Sequence, residues 1–251
     1  MIYINHYMDS IDEALLKDKG TVVSGVGVLD KAVAILSFLS EGGPASLTEV
    51  VEGTGLARPT AHRLLAALEA HHLVARSGGR YVLGLRLLGW ANKATAGAGL
   101  VEAARPALTA LRDTAGESTQ LYVREGKTRV CVAAVERATG LKTTVSVGAV
   151  LPLGRGSGGK VLLAWAGDKD SFPGVDPAEL EGIRSRGWAE SVAEREVGVA
   201  SVSAPVFGPD RRLRAAVCAS GPISRLGERP GERLAGRVVA AAREIGEALG
   251  S

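Results

Sequence analysis

The sequence predicts two domains in one chain: an N-terminal winged helix-turn-helix, mostly α-helical with a β-hairpin wing, and a C-terminal α/β domain with a largely antiparallel sheet. Three observations carry this prediction. Over 26–71, three stretches place apolar residues at helical spacing, and two short β-prone runs around paired glycines follow them. Beyond residue 101, β-branched runs joined by a hairpin signal mix with shorter helical patterns. Between the two, 94–99 is a small-residue stretch that reads as a hinge. The expected boundaries are a flexible arm over 1–24, the winged helix over 25–84, a linker helix and hinge over 85–102, and the second domain over 103–251.

In the first domain, Leu29, Ala32, Val33, Leu36 and Leu39 recur at helical spacing until Gly42, Gly43 and Pro44 stop the helix. A second helix opens at Ser46 with Glu49 three residues on. This is a capping box, in which hydroxyl and carboxylate reciprocally satisfy free N–H groups of the first turn. Leu47, Val50 and Val51 supply its buried side, and Gly53 and Gly55 end it. A third helix starts at Arg58 and Pro59, where the missing proline N–H costs nothing. Ala61, Leu64, Leu65 and Leu68 turn its apolar side to the core; Pro59, Arg63 and Ala66 lie opposite, flanked by Thr60 and His62. Runs 73–76 and 80–83 around Gly78 and Gly79 form the hairpin, and 85–93 is helical again. Residues 1–24 have no evident packing partner; a short helix over 11–17 is the alternative to a flexible arm.

In the second domain, a helix over 101–115 ends at Gly116. Strands over 119–123 and 128–135 flank a turn at Glu125 and Gly126, and 141–153 is a further strand region. A glycine-rich loop leads into a helix over 159–166, and strands over 200–206 and 213–220 precede a final helix over 230–249. Its Leu234, Val238, Ala241, Ile245 and Leu249 fall near one face. No internal repeat is visible.

The net charge is only +3, but its distribution is uneven. Between 56 and 93 six basic residues (Arg58, Arg63, Arg76, Arg80, Arg86, Lys93) face one acid, Glu69, the footprint of a phosphate-contacting surface. A helix of ~10 Å diameter fits the major groove, where base edges present distinguishable donor and acceptor patterns. Arg63 is placed to reach a guanine edge or a phosphate, with Thr60 and His62 beside it and Pro59 on the same side. Arg58 is placed for phosphate, and Arg76 and Arg80 at the hairpin straddle the adjacent backbone. The expected partner is double-stranded DNA, against the alternative of a three-helix protein-interaction module.

Two cysteines, Cys131 and Cys218, give no disulfide framework and point to a reducing cytoplasm. No uncharged run approaches the ~18 residues of a membrane span, and acidic residues interrupt any signal-like N-terminus. The loop over 154–160 matches a dinucleotide fingerprint and nearly a P-loop, but Val161 stands where the latter needs a metal-holding hydroxyl, and the helix behind is short. The loop-to-helix junction offers free N–H groups and a positive dipole end instead, which suits a carboxylate. All four histidines lie in the first 72 residues, so the second domain contains no Ser-His-Asp or Cys-His arrangement. No catalytic residue, cofactor or metal is expected.

Taken in order, GLARPTAHRLL over 55–65, Leu68, YVLGLRLL over 81–88, GESTQL over 116–121, LPL over 151–153 with Gly159 and Lys160, RGW over 186–188, Gly198 with SVSAP over 201–205, and ASGPISRL over 219–226 resemble the IclR-type transcriptional regulators. The resemblance spans roughly 25–250, and is strongest to actinobacterial members linked to amino-acid metabolism. It implies a GAF/profilin-like second domain, and a dimer or dimer of dimers on a palindromic operator. It also implies repression more often than activation, with DNA affinity adjusted by a small carboxylate or amino-acid-like metabolite. It places effector contacts at Ser157 and Gly158, and further pocket positions at Leu141 or Leu151, Ser191, Ser201, Cys218 and Ser220. This chain departs from the family pattern there: Ser191 stands where an acid is common, Ser201 replaces Cys, Cys218 replaces Ser, and Arg155 occupies a place usually small. The rival readings are a metabolite-binding enzyme with a vestigial DNA-binding module, or a winged-helix scaffold that binds protein.

Overall fold

The computed structural model describes residues 26–96, 99–141, 145–166, 172 and 174–250; the expected arm, with its alternative helix over 11–17, lies outside them. The chain divides between Ala94 and Thr95 into two compact units.

The N-terminal unit runs α1 (Gly27–Gly42), α2 (Leu47–Thr54), α3 (Arg58–Ala70), β1 (Val74–Ser77), β2 (Arg80–Leu83) and most of α4 (Arg86–Ala96), whose last two residues fall past the division. Each of the first three helices sends its apolar side into one core, where Ile35, Leu39, Val50, Leu65 and Leu68 bury against Val74 and Tyr81 of the hairpin. Ser77 and Arg80 are a paired rung, so the hairpin loop is only Gly78 and Gly79. Both are left-handed, at φ 57° and 80°, the geometry that matches strand twist and that glycine adopts without strain. α4 continues through Ala96, so the segment read as a hinge begins as helix.

The expected capping box is present: Ser46 N–H donates to Glu49 Oε2 at 2.7 Å, and Glu49 N–H to Ser46 Oγ at 3.3 Å. The same carboxylate receives Arg80 Nη2 at 2.7 and 2.6 Å, while Arg80 Nε donates to the Pro44 carbonyl at 3.0 Å. Ala45 and Tyr81 exchange backbone hydrogen bonds at 2.9 and 2.7 Å. One acid therefore closes a helix end and pins the wing beside it.

The C-terminal unit contains α5 (Leu100–Ala115), β3 (Ser118–Glu125), β4 (Thr128–Val135), β5 (Val150–Pro152), α6 (Ser157–Ala164), α7 (Pro177–Arg186), β6 (Ala189–Val192), β7 (Val199–Phe207), β8 (Leu213–Pro222), α8 (Ile223–Leu226) and α9 (Pro230–Ala248). Its six-stranded sheet has the order β5-β4-β3-β8-β7-β6, and every neighbouring pair is antiparallel. The strand expected over 141–153 shrinks to Val150–Pro152, because Gly148 turns at φ 89° just before it; residues 142–144 lie outside the described residues.

Side-chain alternation divides the sheet into two unlike faces. Ala200, Val202, Ala204 and Val206 of β7 and Ala215, Val217 and Ala219 of β8 pack with α5 and α9 in one apolar core. Tyr122, Cys131, Ala216 and Cys218 face the other way and pack with α6 and α7. β6 pairs only with residues 200–203 of β7, so Pro205 falls on a free sheet edge, where its missing N–H breaks no ladder.

Hydrogen bonds from the Ser46 side chain and from Arg80 pull the Glu49 carboxyl down from 4.5 to about 2. A lowered folded-state value adds stability that is present above the unfolded value and lost as pH falls through the folded one. Glu49→Gln should lower the melting temperature at pH 7, and its deficit against wild type should shrink between pH 4.5 and 2, read by circular dichroism melts across that range.

Candidate functional site

α3 is built to present one face. Ala61, Leu65 and Leu68 are buried beneath it, while Arg58, Pro59, His62 and Arg63 are exposed and Thr60 is half-buried. Arg58 Nη1 reaches Thr48 Oγ1 of α2 at 3.3 Å. Among the described residues, His62 and Arg63 have no hydrogen-bond or ion-pair partner. Thr60 and Arg63 also border a groove of about 390 Å³ with Val28 and Lys31 of α1. The two arginines expected at the wing are engaged within the unit. Arg76 lies 4.3 Å from the Tyr81 ring centroid and donates to its hydroxyl at 2.6 Å, and Arg80 is held by Glu49. Five of the seven expected DNA contacts thus share the α3 face, and two brace the hairpin.

In the C-terminal unit, strand register gathers hydroxyls. Ser191 of β6 pairs with Ser201 of β7, Ser201 with Ser220 of β8, and Ser220 with Ser118 of β3. Four serines therefore stand on one rung across four strands, on the face toward α6. The next rung holds Ser203, Cys218 and Gln120. Ser157, first residue of α6, reaches down onto this face, with its Oγ 2.7 Å from Ser201 Oγ and 2.8 Å from Ser203 Oγ. Ser191 Oγ lies 3.0 Å from Ser201 Oγ, and Ser220 Oγ donates to Gln120 Oε1 at 3.0 Å. Gly156, Gly158, Tyr122, Arg129, Arg195 and Glu196 complete a small polar pocket above the rungs.

Ser157, Gly158, Ser191, Ser201, Cys218 and Ser220 are thus brought together as expected; Leu141, Leu151 and Arg155 are not. Leu141 is 69% exposed and offers only its carbonyl, to Arg225. Leu151 packs into the apolar cluster under α6. Arg155 points its side chain outward and contributes its carbonyl, which accepts from Arg129 Nη1 at 2.7 Å.

Sequence reasoning missed Arg129, Tyr122, Ser203 and Arg195. The period of two was the available signal. Ser203 is in phase with Ser201, and Arg129 is in phase with buried Cys131 on β4. Arg129 is 2% exposed, its guanidinium 5.2 Å from the Tyr122 ring centroid. Burial lowers its pKa and raises those of Cys218 and Tyr122, and pushes the Cys131 thiol up to about 12. Both thiols are therefore neutral at pH 7.

The glycine-rich loop seats this arginine. A Cβ on Gly159 would run into the Leu153 carbonyl and Arg129 Nη1, and Gly156 turns at φ 82° beside Nη2. Lys160, where a P-loop lysine would stand, is instead tied to Glu179 at 2.7 Å and Glu194 at 2.5 Å. Burial works against its charge, but those two carboxylates outweigh it and raise the pKa. Glu194 also accepts from Gly156 N–H at 3.1 Å, so it joins the loop after β6 to the start of α6. Among the described residues no group of three or more metal-ligating side chains occurs, and no helix is long and apolar enough to cross a membrane.

Residues 28–78 match the model of the IclR helix-turn-helix domain, and residues 92–172 and 177–247 match that of the bacterial transcriptional regulator IclR C-terminal domain. The chain belongs to the IclR family. It is 30% identical over 246 residues to the uncharacterized HTH-type transcriptional regulator RhmR of Escherichia coli, covering 90% of this chain and 95% of that one. With the glycerol operon regulatory protein of Streptomyces griseus it shares 32% over 217 residues, 79% and 85% of the two chains. The crystal structure of Thermotoga maritima IclR superposes with a TM-score of 0.70 at 26% identity, over 90% of this chain and 99% of that one. This family places the chain among helix-turn-helix transcriptional regulators rather than enzymes.

Gly159→Ala should destabilise the C-terminal unit by about 1–3 kcal/mol, the usual cost of forcing extra volume into a packed site, because backbone and guanidinium both meet the new methyl. Differential scanning calorimetry on the full chain checks this.

Proposed function

We propose that this IclR-family chain is a metabolite-responsive repressor that binds a palindromic operator as a dimer or dimer of dimers. The observation that carries the reading is the outward face of α3, where Arg63 and His62 are exposed and without internal partners while Ala61, Leu65 and Leu68 hold the helix rigid from behind. In this reading α3 enters the major groove, Arg63 reads a base edge, and Arg58 meets phosphate. Arg76 and Arg80 set the wing's position and present only the remainder of their charge to the backbone.

Pairing of two copies draws on apolar side chains left in solvent on the N-terminal unit: Val28, Leu29 and Val33 on α1, and Leu85, Leu88 and Trp90 at α4. A contiguous pairing of this kind sets the spacing of two recognition helices at about one helical turn of DNA. The serine pocket holds the metabolite, whose binding shifts that spacing with a coupling of ~1–3 kcal/mol.

Selection of genomic fragments with the purified chain, followed by anisotropy on the winners, should yield an inverted repeat. Arg63→Ala should weaken binding to it by ~1–3 kcal/mol, roughly 5- to 150-fold, and relax preference at one base pair per half-site. Unchanged affinity and preference would remove α3 as the reader and favour a vestigial or protein-binding module. Ser201→Val should leave operator binding intact while abolishing the metabolite response in the same assay.

A further inference from the structure

A second concavity lies on the C-terminal unit and shares no lining residue with the serine pocket. It is a groove of about 420 Å³, within the range of small-molecule sites. One wall is α9, where Val239, Ala242, Arg243, Gly246 and Glu247 recur at the spacing of a single helix face. That stripe runs for about 12 Å along the helix axis. The other wall is Trp165, the residue that ends α6, set edge-on to Phe207 of β7 with ring centroids 5.8 Å apart. A Cβ on Gly246 would stand 2.7 Å from the Phe207 carbonyl oxygen, so helix and strand meet there only because the residue is glycine. Arg243 and Glu247 are the charged side chains of the lining. Glu247 has an interaction of its own. Arg243 is exposed, and among the described residues it has no hydrogen-bond or ion-pair partner.

From this geometry we infer that the groove is a second ligand site, for a medium-chain aliphatic carboxylate. Its chain lies along α9 against Trp165 and Phe207, and its head meets Arg243. Three features fix that occupant. Trp165, Phe207 and Val239 are half-buried, and none is among the exposed large apolar side chains, so the apolar surface is recessed in a trough. A protein partner would need about 800 Å² on its side, with apolar anchors standing out of it. An added β-strand also fits poorly. β6 leaves the edge of β7 open beyond Ser203, but Pro205 stands there with no N–H to give. A trough of this length suits a linear chain, each methylene of which tightens binding by up to about fourfold. The cation sets the head. Helical side chains lean toward the helix N-terminus, which carries the Arg243 guanidinium to the Val239 end. That end lies away from Glu247 and from the negative C-terminal end of α9. A carboxylate is matched there, and its tail runs on toward Gly246 and Phe207. The groove and the serine pocket thus lie at opposite ends of α6, at Trp165 and at Ser157.

Hexanoate, octanoate, decanoate and 1-octanol, each below its aggregation concentration, test chain and head separately by titration calorimetry on the full-length wild type. Affinity should rise by about two- to fourfold for each methylene from hexanoate to decanoate. Octanoate should bind more tightly than 1-octanol by about threefold or more, although the alcohol leaves water more readily. Arg243→Gln, a change at an exposed position, should remove that preference and leave 1-octanol binding as it was. With Trp90→Phe and Trp188→Phe, Trp165 is the sole tryptophan, and its emission should shift to the blue as octanoate is added. Absence of the chain-length trend, or 1-octanol binding as tightly as octanoate, would overturn the proposal, and neither comparison needs a variant to fold. Undiminished octanoate binding in Arg243→Gln, or Trp165 emission that stays put at saturation, would overturn it as well. Octanoate binding lost in Ser201→Val but kept in Arg243→Gln would put the chain in the serine pocket and overturn the groove as its site.

Discussion

The C-terminal unit is organised around the burial of one guanidinium. Arg129 projects from β4 on the same face as its apolar neighbour Cys131, before a register shift turns Ala133 to the other core. Everything near it gives way to it. Gly159 has no side chain because Nη1 passes there, Gly156 takes a left-handed turn beside Nη2, and the carbonyls of Pro152 and Arg155 turn inward to accept from it. α6 therefore starts at a place and angle dictated by a cation, and Ser157 at its first position lands on the serine rungs of the sheet. The pocket is a consequence of where that helix starts.

A single carboxylate has the matching role in the N-terminal unit. Glu49 closes the first turn of α2 through Ser46 and holds Arg80 with the same two oxygens. Both partners are half-exposed, and an isolated surface pair of this kind adds little stability by itself. Its value is geometric. It holds the wing against the helix that supports α3, alongside the Ala45–Tyr81 backbone bonds. α3 then has nothing to hold with Arg63 and His62, and these remain outward on a rigid support.

The two units divide the work by the kind of surface they leave unsatisfied. The N-terminal unit leaves unpaired donors facing water on a convex helix, where a polyanion can reach them. The C-terminal unit buries Arg129 beneath a small polar pocket, with its Nε left without a hydrogen-bond partner among the described residues. Hydroxyls make up much of the pocket lining, its carboxylate Glu196 is paired with Arg195, and Cys218 and Tyr122 are neutral, so none of these groups cancels the charge of Arg129.

Local chemistry made much of this legible from the sequence. Helical spacing located α1 to α3, the Ser46 and Glu49 pair marked a cap, and Gly78 with Gly79 marked a two-residue turn, because each depends on residues within four positions of one another. Strand alternation likewise put Ser201 and Ser220 on shared faces of their own strands. Register was not legible. That Ser191, Ser201, Ser220 and Ser118 form one rung depends on how four strands slide past one another, and a one-residue slip would reverse every face. The same limit hid Arg129, which lies 27 residues before Gly156 in the loop that receives it, and misplaced Leu141, Leu151 and Arg155, whose side chains do not line the pocket. The sequence by itself determined the elements, their order and the face of α3 that meets solvent; tertiary structure alone decided which distant side chains converge, because only packing sets register and the start of α6.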